Sequence, residues 1–480
     1  MIDSAARLNL AGHALTPGAQ RSWWLREALA REQGADTPAL TGDIDADVAI
    51  IGGGFTGLWT ARELKRRDPS LRIAVLEKAV CGFGASGRNG GWASALYPLS
   101  DETVVQRYGV EAFDAQRHVL YDAVANLGAC AKEDGIDARF TRGGTLTFAR
   151  SEVQATRLRA SVESSRQCGV GPEDLDWLEG DSLAAHGHLD GAVGAKFSPH
   201  CGRIDPARLV RGLGDAVERL GVEIYEETAV VRIVPGRRGR QPEVVTIGAS
   251  VHADFVVRAT EAFTTTLPGE RRTVAPIYSL MVATEPLLKS FWDEVGFAKH
   301  QTFADDRHLI IYGQRTHDDR IAFGGRGSPY HFGSTVEERF DANPKVFTML
   351  EATLHELFPH LDGAITHRWG GPIAMPRDGS PSVLVDYDTG LASAGGYTGD
   401  GVVLSHVAAT AMADLLTRPD DETEFTQLPF VHHRNRRWEF EPLRWLGINV
   451  GLGLGTWADR VEERRGVPSR ASHLLDRLLN

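Results

Sequence analysis

Arg326 stands among glycines in FGGRGSP (323–329). Glycines let the backbone approach a ligand closely, and a guanidinium can grip a carboxylate through two parallel hydrogen bonds. Tyr312, at the end of the apolar run HLIIYG, is a candidate to face the same ligand. His308 is a candidate to take a proton from a substrate, and Tyr397, just ahead of a glycine loop, to wall the substrate site. A structural ion pair for Arg326, core packing for the two tyrosines and a structural role for His308 are the alternatives. Other chemistries find little footing. Ser380 and Ser405 lie in no nucleophile-elbow context, and the 17 histidines include no H-x-x-x-H metal pair. The four cysteines (81, 130, 168 and 201) form no C-x-x-C pair, so neither a metal nor disulfides are expected.

The elements that must position these residues begin at ADVAIIGGGFTGL (46–58). Its continuously apolar start reads as a parallel strand covered on both faces. Gly52, Gly54 and Gly57 then follow at G-x-G-x-x-G spacing, with Phe55 and Thr56 inside the turn, and a helix opens. LRIAVLEK supplies a second strand ending in Glu77, with Lys78 beside it. The glycines suit a tight turn and a close approach of pyrophosphate, the helix N-terminus suits its charge, and Glu77 suits a ribose diol. An acid there would repel a 2′-phosphate, which disfavours NADP.

The next segment, CGFGASGRNGGWAS (81–94), separates FAD from NAD. An NAD-binding unit would continue into another helix. Here a run of small residues makes a loop able to lie against a ligand, with Gly84, Ala85, Ser86, Arg88, Asn89, Gly90 and Gly91 as candidates to reach pyrophosphate or flavin. The motifs GGGFTGLWTARELK, GFGASGRNGGW, IAFGGRGSPYHFG and GGYTGDGVVLSHVAATAMADLL together resemble the D-amino-acid-oxidase-like family of FAD-dependent amine oxidases, and within it the γ-glutamylputrescine oxidase subgroup. The resemblance runs in order from about residue 20 to about 470.

That resemblance implies an α/β fold: a Rossmann-like, discontinuous FAD-binding domain (46–100, 190–275 and 361–420) interleaved with an α+β substrate domain on a large mixed sheet (101–189 and 276–360). An N-terminal extension (1–45) and a C-terminal helical tail (421–480) complete the chain. It places Val230 at adenine, Thr260 and Gly371 beside FAD, and Gly399, Asp400, Gly401 and Val402 at the flavin's pyrimidine edge. Asp400 is expected to cap the following helix through a nearby N–H. Trp369 is a weaker candidate for substrate contact. Some members of the family it resembles attach FAD through a cysteine in the segment that here reads WGGPIAMPRDGSPSV (369–383); no cysteine stands there, so the resemblance implies non-covalent FAD. The expected activity is oxidation of the C–N bond of a small amine, with oxygen or another acceptor taking the electrons. An NAD(P)H-dependent flavin monooxygenase and a non-catalytic flavin-binding subunit are the rivals.

The formal charge of -12 argues against nucleic acid as a partner. With no apolar run of membrane-spanning length and no signal-peptide pattern in the first 18 residues, a cytoplasmic enzyme is expected. GLGLGTW (451–457) lacks the flanking strand and acid of a second nucleotide site and reads as structural. The apolar residues of HLLDRLLN (473–480) suit packing.

Overall fold

A computed structural model describes residues 22–32 and 37–469. The expectations for the first 18 residues and for HLLDRLLN lie outside them. Two eight-stranded sheets carry the fold. In the first, the strand Ile44–Ile51 runs parallel to both Ile73–Leu76 and Ser250–Arg258. Glu223–Tyr225 extends the sheet on one side, and Leu391–Gly395 with Ser382–Asp386 on the other. The central strand is buried along Val48–Ile51 because helices cover it. Phe55–Arg67 packs there between Pro206–Arg219 and Gly401–Thr417. The helix Pro206–Arg219 starts where the sequence predicts: Asp205 accepts from the Arg208 N–H (3.1 Å) and Pro206 opens the first turn.

The second sheet has the order Ile365–Met375, Ala275–Thr284, Ile321–Arg326, Ile311–Arg315, Thr302–Asp305, Thr145–Ala149, Gly194–Ser198, Asp176–Leu178. One face buries Leu280, Val282, Phe303, Ile311 and Phe323 under the helix Pro344–Leu357. Two stretches assigned by sequence to the nucleotide-binding domain belong here instead. Gly194–Ser198 pairs with Thr145–Ala149, and Ile365–Met375 pairs along its length with Ala275–Thr284. Neither carries a nucleotide-binding glycine motif or a terminal acid, so nothing in their local pattern says which sheet they join. GLGLGTW lies in the middle of the helix Leu443–Arg465. Among the described residues no helix is long and apolar enough to cross a membrane.

The first described helix, Trp23–Leu29, buttresses the region between the sheets. Ser22 caps it and donates to the Gly87 carbonyl, while Trp23 and Trp24 pack on Met281, Ala283 and Trp369.

Candidate active site

A cavity of about 690 Å³ opens at the carboxyl ends of the first sheet's strands. Gly52, Gly54, Phe55, Thr56, Glu77, Lys78, Gly84, Ala85, Ser86, Val230 and Thr260 all line it, so most of the sequence candidates for the cofactor meet in one place. The turn can exist only with glycine. Gly52 has φ +110°, and a Cβ there would lie 2.6 Å from the Ala259 carbonyl oxygen. A Cβ on Gly57 would overlap the Gly52 carbonyl oxygen. Ser86 Oγ accepts from the Phe55 N–H (2.8 Å), tying the two glycine-rich loops together. Glu77 Oε2 accepts from Gly53 N–H (2.8 Å) and Oε1 from Ala79 N–H (2.9 Å). Burial raises its pKa, and each oxygen keeps a lone pair for a further donor such as a ribose hydroxyl. A glycine cradle, an acid at the second strand's end and a long apolar-walled cleft fit a bound dinucleotide of FAD's kind.

The roof over this cleft is the second sheet, and strand alternation decides what it presents. Ser279 pairs with both Arg326 and Gly371, and Tyr312 pairs with Gly324. These positions share one face, opposite the core face of Leu280 and Phe323. It meets the 84–91 loop. A Cβ on Gly90 would lie 2.6 Å from Tyr312 Cε2, and one on Gly371 3.1 Å from Arg88 Cδ. Gln314 Nε2 donates to the Gly90 carbonyl (2.6 Å), and Trp92 meets Tyr312 edge to face at 6.2 Å. Tyr312 shares a hydrogen bond with Ser279 (2.8 Å).

Arg326 lies on this same face. Its Nη2 donates to the Thr398 carbonyl (2.9 Å), and a Cβ on Gly399 would lie 3.6 Å away. Among the described residues its guanidinium has no other hydrogen bond or salt bridge; burial lowers its pKa and Asp400 opposes that drop. Four of its five N–H donors are therefore uncommitted. Arg326 and Asp400 are both half-buried, and the fold desolvates both.

Several candidates stand elsewhere or act differently. The ring of His308 is held by Glu462 (Nε2 to Oε1, 3.0 Å) on the helix Leu443–Arg465, away from the cleft, so a proton-accepting role gives way to a structural one. Tyr397 is 3% exposed in the core, its hydroxyl bonded to Thr56 (3.1 Å), so it braces the glycine turn rather than walling a substrate. Trp369 donates to the Arg88 carbonyl (2.8 Å) and is likewise core. Arg88 pairs with Asp341 (2.6 Å), and Asn89 is engaged within its own turn. Neither lines the cavity, and Arg88 Nη2 is buried without a partner among the described residues. Asp400 occupies the N-cap position of Gly401–Thr417, but its side chain accepts no N–H there. Burial instead pushes its carboxyl up to about 7, with Arg326 holding it down. Gly401 and Val402 begin this helix, Val402 in the core.

Sequence reasoning missed Glu261. Held at φ +43° at the cavity wall, its carboxylate accepts from the Gly396 and Tyr397 N–H groups (3.2 Å each), pinning the loop that leads to Asp400. Burial pushes it up to about 7. An acid directly after the strand end Ala259-Thr260 was its only signal. Ser279 and Gln314 were also missed, although Ser279 interrupts the apolar run of Ala275–Thr284.

Residues 47–415 match the family described as DAO, FAD dependent oxidoreductase. The chain is 28% identical over 396 residues to the gamma-glutamylputrescine oxidoreductase of Escherichia coli K12, covering 81% of this chain and 88% of that protein. It is 27% identical over 397 residues to a probable oxidoreductase OrdL of Haemophilus influenzae, covering 82% and 87%. The crystal structure of glycine oxidase from Geobacillus kaustophilus superposes with a TM-score of 0.68 at 24% identity, over 81% of this chain and 99% of that one. That likeness speaks to the fold.

Proposed function

The chain belongs to the DAO family of FAD-dependent oxidoreductases, and from that premise we propose that it oxidises the C–N bond of a small, carboxylate-bearing amine of γ-glutamylputrescine type to an imine that then hydrolyses. The observation that carries this reading is Arg326, a desolvated cation on the sheet face that meets the 84–91 loop, with one side-chain donor used and the rest free. A site of that kind recognises a carboxylate by a bidentate pair. The relationship to a gamma-glutamylputrescine oxidoreductase supports the amine class.

Bound FAD supplies the acceptor for hydride leaving the carbon beside nitrogen. The chain's residues bind, orient and exclude water. Gly52, Gly54 and Ser86 cradle the dinucleotide and Glu77 takes the ribose, with Val230 and Thr260 along the cleft. FAD is held without a covalent bond, since residues 369–383 contain no cysteine. Arg326 fixes the carboxylate end of the substrate. Tyr312, oriented by Ser279, and Trp92 form a wall that keeps water from the reacting carbon. Asp400, neutral below about pH 7, then leaves the charge of Arg326 for the substrate. Oxygen is the proposed electron acceptor and the cytoplasm the proposed location.

The test is anaerobic bleaching of the purified yellow protein with a panel of amines, amino acids and NADPH. We expect rapid loss of the visible flavin bands with a carboxylate-bearing amine and their return on admitting air. Bleaching by NADPH alone would favour a monooxygenase, and no bleaching by any compound a non-catalytic subunit.

A further inference from the structure

The helix Leu443–Arg465 turns several charged side chains toward the protein and leaves a row of apolar ones exposed. Arg444, 3% exposed on its side chain, donates to Glu441 and to the Arg271 carbonyl (both 2.8 Å). Asp459 accepts from the His308 and Leu309 N–H groups (2.7 and 2.9 Å). Glu462 holds His308 (3.0 Å) and Arg157 (3.1 Å). Gly455 and Ala458, on the same side, allow close packing. The outward face carries Leu443, Leu446, Val450 and Trp457, exposed by 66%, 46%, 52% and 53%. Spaced at i, i+3, i+7 and i+14, they fall in one stripe of a 3.6-residue helix. Phe440, 69% exposed, continues it. So does Phe332, 58% exposed, whose neighbour Gly333 donates to Glu441 (2.9 Å). An apolar strip of this extent on an exterior marks an interaction surface.

The charge around the strip selects its partner. Arg434, Arg436 and Arg437 precede the helix, Arg460, Arg464 and Arg465 occupy its last turns, and all six are exposed. The acids nearby are engaged: Glu439 with Arg377, Glu441 with Arg444, and Asp459 and Glu462 as above. Of the described residues from 432 to 469, Glu463 alone is an exposed carboxylate. A chain of formal charge -12 thus turns a locally cationic, aromatic-studded face outward. A symmetric contact with a second copy would set these arginines against one another. Leucine, valine and tryptophan rimmed by arginine is instead what an interfacial helix offers to an anionic bilayer, apolar side chains at the acyl boundary and guanidinium groups on lipid phosphates. We infer that this face docks the protein peripherally on an anionic membrane surface.

The test uses the full-length holoprotein, sedimented with vesicles of phosphatidylcholine alone or mixed with phosphatidylglycerol. Binding is expected only to the anionic vesicles, falling about tenfold or more from low to high salt. A blue shift of tryptophan fluorescence on binding is expected to disappear in Trp457→Gln. Leu446→Gln/Val450→Gln and, separately, Arg460→Gln/Arg464→Gln/Arg465→Gln should each reduce binding about tenfold while the flavin spectrum stays unchanged, because these side chains are exposed and remote from the cofactor cleft. Protein that stays in the supernatant with every vesicle overturns the inference. So does a dimer in light scattering that the apolar variant splits, which would assign the strip to self-association. Neither result bears on amine oxidation.

Discussion

Replacing Arg326 by alanine is the sharpest probe of the substrate reading. In the protein the guanidinium is desolvated and spends one hydrogen bond on the Thr398 carbonyl. A carboxylate bound there would form a bidentate pair in a low-dielectric cleft. Removing one member of such a pair costs about 3–5 kcal/mol, because the other charge is left buried and alone. At about 1.4 kcal/mol per decade this is a loss of about 10²-fold to several thousand-fold in kcat/KM. Arg326→Lys should recover part of it, since the charge returns without the planar fork. The assay is steady-state oxidation of a carboxylate-bearing amine and of its methyl ester by each variant. The ester should be a poor substrate for the native enzyme and nearly indifferent to the substitution. An equal loss for acid and ester would mean that Arg326 merely props the Thr398–Asp400 loop, and no loss for either would remove it from the site.

Two further outcomes follow from the same geometry. Gly57→Ala sets a methyl against the Gly52 carbonyl oxygen and 3.2 Å from Ile50 Cγ2, neither of which can yield cheaply, so the turn must open. The purified variant should carry about tenfold less flavin by its absorbance ratio, and a full complement would show that the turn does not hold the cofactor. The second concerns pH. Burial raises Glu261 and Asp400 from ordinary carboxyl values to about 7, so the folded chain binds protons that the unfolded chain has released. Their contribution to stability is complete below about pH 4 and is lost as pH rises through about 7. Glu261→Gln should therefore flatten the fall in Tm of the flavin-free protein between pH 5 and pH 8, and an unchanged slope would refute the assignment of that proton uptake to Glu261.

The nucleotide half of the site was legible because its chemistry is local. The glycine spacing at 52–57, the acid at Glu77 and the small-residue loop at 84–91 lie within 40 residues of chain, and each signals a backbone shape or a single carboxylate. The substrate half is not local. Arg326 and Tyr312 could be named from their surroundings, and they sit on consecutive paired strands, but the face they present depends on pairing with Ala275–Thr284 and, through it, with Ile365–Met375. His308 shows the limit: its residue type made it a candidate proton acceptor, and a carboxylate 154 residues later holds its ring in a structural role. Asp400 fails for a related reason. Capping was the local expectation, but an arginine from the other sheet lies close enough to set its charge.

What fixes the polar face of the roof is its apolar one. Ser279, Tyr312 and Arg326 contribute little binding energy to one another; Leu280, Val282, Ile311 and Phe323, interleaved with them, are nearly or fully buried on the far side. A slip of one residue between Ala275–Thr284 and Ile321–Arg326 would turn that set toward the cleft and expose its core partners beneath the helix Pro344–Leu357. Losing the burial of even two such side chains costs about 3–6 kcal/mol, a large share of a domain's net stability. The pairing of Ser279 with Arg326 is thereby held by residues that never touch a ligand. Substitutions in the core face should consequently disturb substrate recognition through register, while the cofactor turn, built on the other sheet, remains intact.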